Sequence, residues 1–471
     1  MKLLQSLVLI VAAGWSLAGC SQPRPKPILG CAYQVVPLTV GARGGPAPLR
    51  LEALASVEGA DGVGNRLGEI LRQRRERLGR AKPMLLGTEA DRREPASDQF
   101  LALSGGGQHG AFGAGFFYGM GALPTWDVVT GVSTGSLQST LLFLANQPVP
   151  EDRTDYSWVD GPLSGKEGDT GFVVKPGTSN VGDLVLAYSI AHEADLLRVR
   201  RGGAAIGTLF KGSAASFGPL RARLRKVMTI GTLRAVGREW RDQNRQLFVG
   251  VSNLDDGEGY AIDMTELAAR TLVTQSPAEL ARLQGCYVDA LLASSSVSPG
   301  VPPLTLDTQR GTEMYMDGGA RFGVFLEPVL RAYQGAGAGR AQVMLMVNTT
   351  MEAPPWSGDK APRQRWSAVD AALRSVKLLE TQVYRFSAAS IEDLGAMNGA
   401  LNMAYLSNAD IAGGEAPMDH VFNGKSCAAW LAQDSAARPM QFFPRYMACT
   451  ADYGRSRGAA QQWNRSVRRL H

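Results

Sequence analysis

One stretch of sequence, residues 100 to 146, limits what this chain can fold into more than any other. Phe100-Leu101-Ala102-Leu103-Ser104 is a short apolar run of the kind a buried strand needs. Gly105-Gly106-Gly107-Gln108-His109-Gly110 follows, and then a helical run from Ala111 to Gly121. A second apolar strand, Val128-Val129-Thr130-Gly131-Val132, ends in Ser133-Thr134-Gly135 and feeds a helical run from Ser136 to Asn146. Strand, glycine loop, helix, strand, sharp turn, helix is the alternation of a mostly parallel sheet covered by helices. The pattern therefore predicts an α/β chain.

Beyond this unit the spacing predicts strands over 247–251, 260–264, 313–316 and 342–348, with helices over 181–197, 217–227, 287–294 and 367–387. Residues 147–245 are Gly-rich and weakly periodic, and read as an insertion. Leu67, Ile70, Leu71 and Leu78 make a helical stripe in an N-terminal basic region, 51–98. Its Arg-rich opposite face fits a solvated surface better than a layer of lipid phosphates. The last forty-five residues read as irregular and basic.

Composition narrows the class. Apolar residues make up 45% and charged residues 20%, which excludes a disordered chain, and the 55 glycines follow no Gly-X-Y period, which excludes collagen. The formal charge of +6 is spread among acids along the chain, so nothing in it calls for nucleic acid. No Cys/His run has the spacing of a zinc site.

Gly131-Val132-Ser133-Thr134-Gly135 is a G-x-S-x-G sequence, common by itself but set here between a strand and a helix, as a nucleophile elbow requires. The turn is tight, and it lifts the serine hydroxyl to a helix start, where backbone N–H groups favour developing negative charge. A serine needs a base. The four histidines are His109, His192, His420 and His471, and none lies in a strand-end loop of the usual hydrolase kind, although His420 comes nearest. Oxyanion donors are easier to find, because Gly105-Gly106-Gly107 can aim bare N–H groups into a concavity. Gly105, Gly107 and Gly110 also fit G-x-G-x-x-G, but a dinucleotide needs an acid at the end of the next strand, and Asp127 stands at its beginning.

Three signatures, Gly105 to Gly110, Gly131 to Gly135 and Asp317-Gly318-Gly319, resemble in order and spacing those of the patatin-like phospholipase family. Two softer segments agree: Val251 to Gly257, and Ala293-Ser294-Ser295-Ser296 before Pro299. The resemblance implies a three-layer α/β/α sandwich with a mostly parallel central sheet, over a hydrolase domain at 99–350 with 147–245 as its insertion. It implies a Ser/Asp dyad, with Ser133 as nucleophile, Asp317 as base and Gly105, Gly106 and Gly107 as the oxyanion loop. His109, Gly110, Gly131, Gly135, Gly318 and Gly319 flank these groups. His109 departs from the family, which often has Arg or Lys there. The implied substrate is a phospholipid or another acyl ester, cleaved without metal or cofactor. A non-catalytic lipid-binding envelope lipoprotein, and a general serine esterase or acyltransferase using a histidine, are the competing readings. Asp-Gly-Gly alone would read as turn punctuation.

The N-terminus carries an address. Lys2 and a short apolar run form a secretory signal over 1–19, too short to span a bilayer. Leu17-Ala18-Gly19-Cys20 resembles the bacterial lipobox, which implies acyl chains on Cys20 and membrane anchorage. Ser21 in place of an aspartate points to the outer membrane, with the protein facing the periplasm. Residues 20–50, with Pro23, Pro25 and Pro27, read as a lipidated tether, and 351–471 as a C-terminal helical extension packing on the core. In an oxidising compartment Cys31, Cys286, Cys427 and Cys449 allow three pairings. The short separation favours Cys427 with Cys449, which leaves Cys31 with Cys286; free buried thiols satisfy the sequence equally.

Overall fold

The apolar runs become the strands of one sheet. The computed structural model describes residues 24, 26–27, 30–38, 98–166, 171–199, 213, 215–298, 300–330, 341–351, 368–406, 411–412, 416–417 and 420–468. The expected signal over 1–19, Cys20 and the stripe at Leu67 to Leu78 lie outside these residues.

The sheet holds ten strands among the described residues: β1 Val35–Pro37, β2 Asp98–Leu103, β3 Val128–Val132, β4 Gln246–Asn253, β5 Gly259–Asp263, β6 Leu304–Thr308, β7 Gly311–Asp317, β8 Ala341–Thr350, β9 Gly399–Leu406 and β10 Arg465–Arg468. Their order is β1-β5-β4-β3-β2-β8-β9-β10, and the five central strands from β4 to β9 run parallel. Antiparallel strands close both edges. The hairpin β6–β7 joins one end of β4, with Val251 opposite Asp317.

Burial on both faces explains the unbroken apolar runs: every residue of β3 and β4 is buried. Alternate residues serve different layers. Leu101, Leu103 and Val129 pack with α1 (Gly110–Met120), α2 (Thr134–Phe143), the segment's helix α3 (Asn180–Ala187) and α6, defined below. Phe100, Ala102 and Phe248 pack on the other face with Phe325, Leu326, Ala388, Ile391 and Leu394. The result is a mostly parallel sheet between two helical layers, in agreement with the expected α/β/α class.

Several boundaries differ from the sequence reading. The helix expected over 181–197 closes at Ala187 because the next residues turn to other partners: Tyr188 Oη lies 2.5 Å from Thr134 Oγ1, and Ser189 Oγ donates to the Asp160 carbonyl at 2.6 Å. The helix expected over 217–227 is present as α4 (Gly218–Val227), and α5 (Ile230–Gln243), which was not expected, follows it. The helix expected at 287 begins at Pro277 (α6, Pro277–Ser294), where Ser276 caps it by accepting the Glu279 N–H. The last long helix, α7, runs Ala368–Asn398.

Residues 427–468 are ordered elements rather than irregular chain: α8 (Cys427–Ser435), α9 (Pro444–Ala459) and β10. The cause is a glycine-to-backbone contact between α1 and α9. A Cβ on Gly115 would strike the Ala451 carbonyl, and one on Gly454 the Phe112 carbonyl. Nor does the C-terminal region only pack on the core, since β9 pairs with β8 from Ala341↔Gly399 to Val347↔Tyr405 and so extends the sheet. The tether region likewise contributes β1, paired with β5.

Both disulfides are formed, Cys31–Cys286 and Cys427–Cys449, with Cα separations of 5.8 and 5.4 Å. The acidic turn at 255–258 is neutralised by arginines: Arg24 on Asp255, Arg310 on Asp256 at 2.7 Å and Arg321 on Glu258 at 3.0 Å. Among the described residues no helix is long and apolar enough to cross a membrane.

Candidate active site

Ser133 sits between β3 and α2 at φ 54° and ψ −124°, a conformation a non-glycine residue holds only when its surroundings over-determine it. Gly131 and Gly135 make the turn possible. A Cβ on Gly131 would lie 2.5 Å from the Gly135 carbonyl oxygen, and one on Gly135 would run into that of Leu103. The Ser133 N–H donates to Ser294 Oγ at 3.1 Å, and Ser294 Oγ donates in turn to the Gly250 carbonyl at 2.7 Å. The Ser133 carbonyl accepts from Ser136 Oγ at 2.6 Å and from Ser295 Oγ at 3.2 Å.

Strand β4 brings the aspartate to the serine. Its Gly250 lies opposite Val132, the residue before Ser133, and its Val251 lies opposite Asp317. The end of α6 fastens both sides, with Ser294 on Ser133 and the Ser296 carbonyl accepting the Asp317 N–H at 3.1 Å. Gly318 packs against β4, where a Cβ would lie 2.7 Å from the Gly250 carbonyl oxygen.

Asp317 is 3% exposed. Its Oδ1 accepts the Gly319 N–H at 2.7 Å, while Oδ2 has no hydrogen-bond partner of ordinary geometry among the described residues. Burial pushes the carboxyl up to about 7, partly offset by the neighbouring Ser133 hydroxyl and the Gly319 N–H, and Glu380 adds to the upward push. A carboxylate of this kind beside a hydroxyl can accept a proton near neutral pH.

The glycine loop divides in two. Gly105 donates its N–H to the Gly323 carbonyl at 3.1 Å, so it is not available as an oxyanion donor, contrary to the expectation for all three glycines. Gly106 and Gly107 line the cavity over Ser133, and their N–H groups have no acceptor among the described residues. Gly106 has φ 148° and lies so close to the Asn348 carbonyl that a Cβ would overlap it. Asn348, which the sequence did not single out, holds the loop by donating from Nδ2 to the Ser104 carbonyl at 3.0 Å and to Gln138 Oε1 at 2.9 Å. Gly110 accepts from Gln138 Nε2 at 2.7 Å. His109 lines the cavity, edge-on to Tyr446 with ring centroids 6.1 Å apart. His420 lies outside the cavity lining and pairs with Asp452, Nε2 to Oδ2 at 2.8 Å.

The cavity holds about 570 Å³ and reaches Ser133, Asp317, Gly106 and Gly107. Leu137 and Leu141 form one wall, and Leu196, Phe217, Leu220 and Leu224 of the 147–245 segment another. The 295–320 segment adds Val297, Val301 and Met316, and the C-terminal region adds Leu379, Val383, Tyr384 and Phe442. A largely apolar lining with a few polar groups is what a small-molecule site needs.

Residues 101–330 match the family model described as Patatin-like phospholipase. This segment is similar to patatin-like phospholipase domains. The match spans the glycine loop, the Ser133 turn and Asp317, and ends before α7. The crystal structure of VipD from Legionella pneumophila is similar at 12% identity, with a TM-score of 0.29, covering 81% of this chain and 70% of that one. No curated protein matches the chain.

Proposed function

We propose that the protein is a lipid acyl hydrolase in which Ser133 and Asp317 act as a dyad. Ser133 Oγ attacks the ester carbonyl while Asp317 takes its proton, and the Gly106 and Gly107 N–H groups hold the tetrahedral oxyanion. The alcohol or lysolipid leaves with the proton from Asp317. Water then attacks the acyl-serine, again giving its proton to Asp317, which returns one to Ser133 Oγ as the fatty acid departs.

The observation that carries this reading is the meeting of a strained serine and a buried aspartate of raised pKa at the floor of an apolar cavity. The apolar walls favour an acyl chain over a small polar ester. The test is hydrolysis of phospholipid and lysophospholipid by variants: Ser133→Ala and Asp317→Asn lose activity, and His420→Ala keeps it. Activity that survives Asp317→Asn and disappears in His420→Ala would establish a histidine esterase instead. A non-catalytic lipid carrier would bind lipid and turn over none.

The proposal includes an envelope location through lipidated Cys20. It is supported by Leu17-Ala18-Gly19-Cys20 and by two disulfides, which persist in oxidising compartments. Incorporation of labelled palmitate that disappears in Cys20→Ala is the expected result, and unchanged labelling contradicts it.

A further inference from the structure

Helix α7 lies beyond the matched segment, yet it reaches the reacting groups through Tyr384. The side chain is 4% exposed and seated on three glycines. A Cβ on Gly323 would lie 2.5 Å from the ring, one on Gly105 would collide with the hydroxyl, and one on Gly319 would lie 3.4 Å from it. Ser133 Cβ lies 3.0 Å from the same Gly105 position. The hydroxyl therefore opens on the cavity beside Ser133 and Asp317, with no hydrogen-bond partner among the described residues. A phenol left unpaired at the floor of an apolar cavity is poised to donate to a ligand oxygen.

We propose that Tyr384 is a further catalytic residue, whose hydroxyl donates a hydrogen bond to the leaving-group oxygen of the ester. This rests on Ser133 and Asp317 acting as the dyad. The hydroxyl lies between Gly105 of the glycine loop and Gly319 beside Asp317; with the carbonyl oxygen assigned to the Gly106 and Gly107 N–H groups, the leaving oxygen falls to Tyr384. Tyr384 keeps its proton throughout. The acyl C–O bond breaks, the leaving oxygen takes the proton that Asp317 received from Ser133, and Tyr384 stabilises the charge on that oxygen as it forms. Burial, with Asp317 and Glu380 nearby, drives the phenol well above its ordinary pKa, so it remains a neutral donor.

Tyr384→Phe removes the donor and keeps the ring. The test compares two esters of one fatty acid, an alkyl or lysolipid ester with a poor leaving group and a p-nitrophenyl ester whose leaving group needs no assistance. The expected loss in kcat/KM is about a hundredfold on the first and under about threefold on the second. Equal loss on both esters makes Tyr384 structural and overturns the inference, as does no loss on either. Fluorophosphonate labelling separates this from failure of the dyad: if the wild-type protein is not labelled at Ser133, the underlying reading falls first.

Discussion

Asp317→Asn separates function from stability. The carboxyl has a pKa of about 7 in the folded protein against 3.8 when unperturbed, chiefly because the fold buries it. Below pH 4 it is protonated in both states and has no effect on stability through ionisation. Between about 4 and 7 the unfolded chain ionises and the folded protein does not, so stability falls as pH rises, and above 7 the loss is complete. At 1.36 kcal/mol per pH unit the loss amounts to about 4 kcal/mol, an upper limit since relaxation and water entry reduce it. Asparagine does not titrate, and its carbonyl can still accept the Gly319 N–H. The variant is therefore expected to be inactive and yet more stable than the wild type by a few kcal/mol at pH 8. Urea unfolding of both proteins at pH 4.5, 6, 7 and 8.5 measures the difference. An advantage that grows through this range and then levels supports the burial of an ionisable Asp317, whereas a difference independent of pH refutes it.

Other outcomes follow from the same geometry. Ser133→Gly removes the nucleophile and releases the strain at φ 54°, so an inactive protein more stable by about 1 kcal/mol is expected from denaturant melts. Gly454→Val drives a side chain into the Phe112 carbonyl and should separate α9 from α1, lowering stability by more than about 2 kcal/mol and speeding proteolysis within 444–468. Replacing Cys427 and Cys449 together by serine opens a crosslink of sequence separation 22, with an expected loss of about 3 kcal/mol; melts equal to the wild type would contradict its role.

The site was legible where close backbone contact dictates residue type. Gly131 and Gly135 flank Ser133 because the turn brings carbonyl groups onto their Cα atoms, and that constraint shows as G-x-S-x-G. The aspartate's approach was visible only as a turn signature, because it depends on β4 lying between β3 and β7. Loss of Gly105 as a donor could not be read from three identical glycines, since it depends on Gly323, more than two hundred residues away. Tyr384 was hidden for another reason: in a helical sequence it looks like any residue of the apolar face. Helix α9 gave little periodic signal because it buries Ala451, Gly454 and Gly458 against α1 rather than an aliphatic stripe. Strand β9 begins directly where α7 ends, and only the Asn398-Gly399 pair marks the junction.

The most direct test of the Ser133–Asp317 pair is the rate of fluorophosphonate labelling as a function of pH, with the modified peptide mapped. Labelling confined to Ser133, rising about tenfold per pH unit below an apparent pKa near 7, level above it and lost in Asp317→Asn, is the expected result. Labelling at another residue, or a Ser133 rate that Asp317→Asn leaves unchanged, would contradict the account.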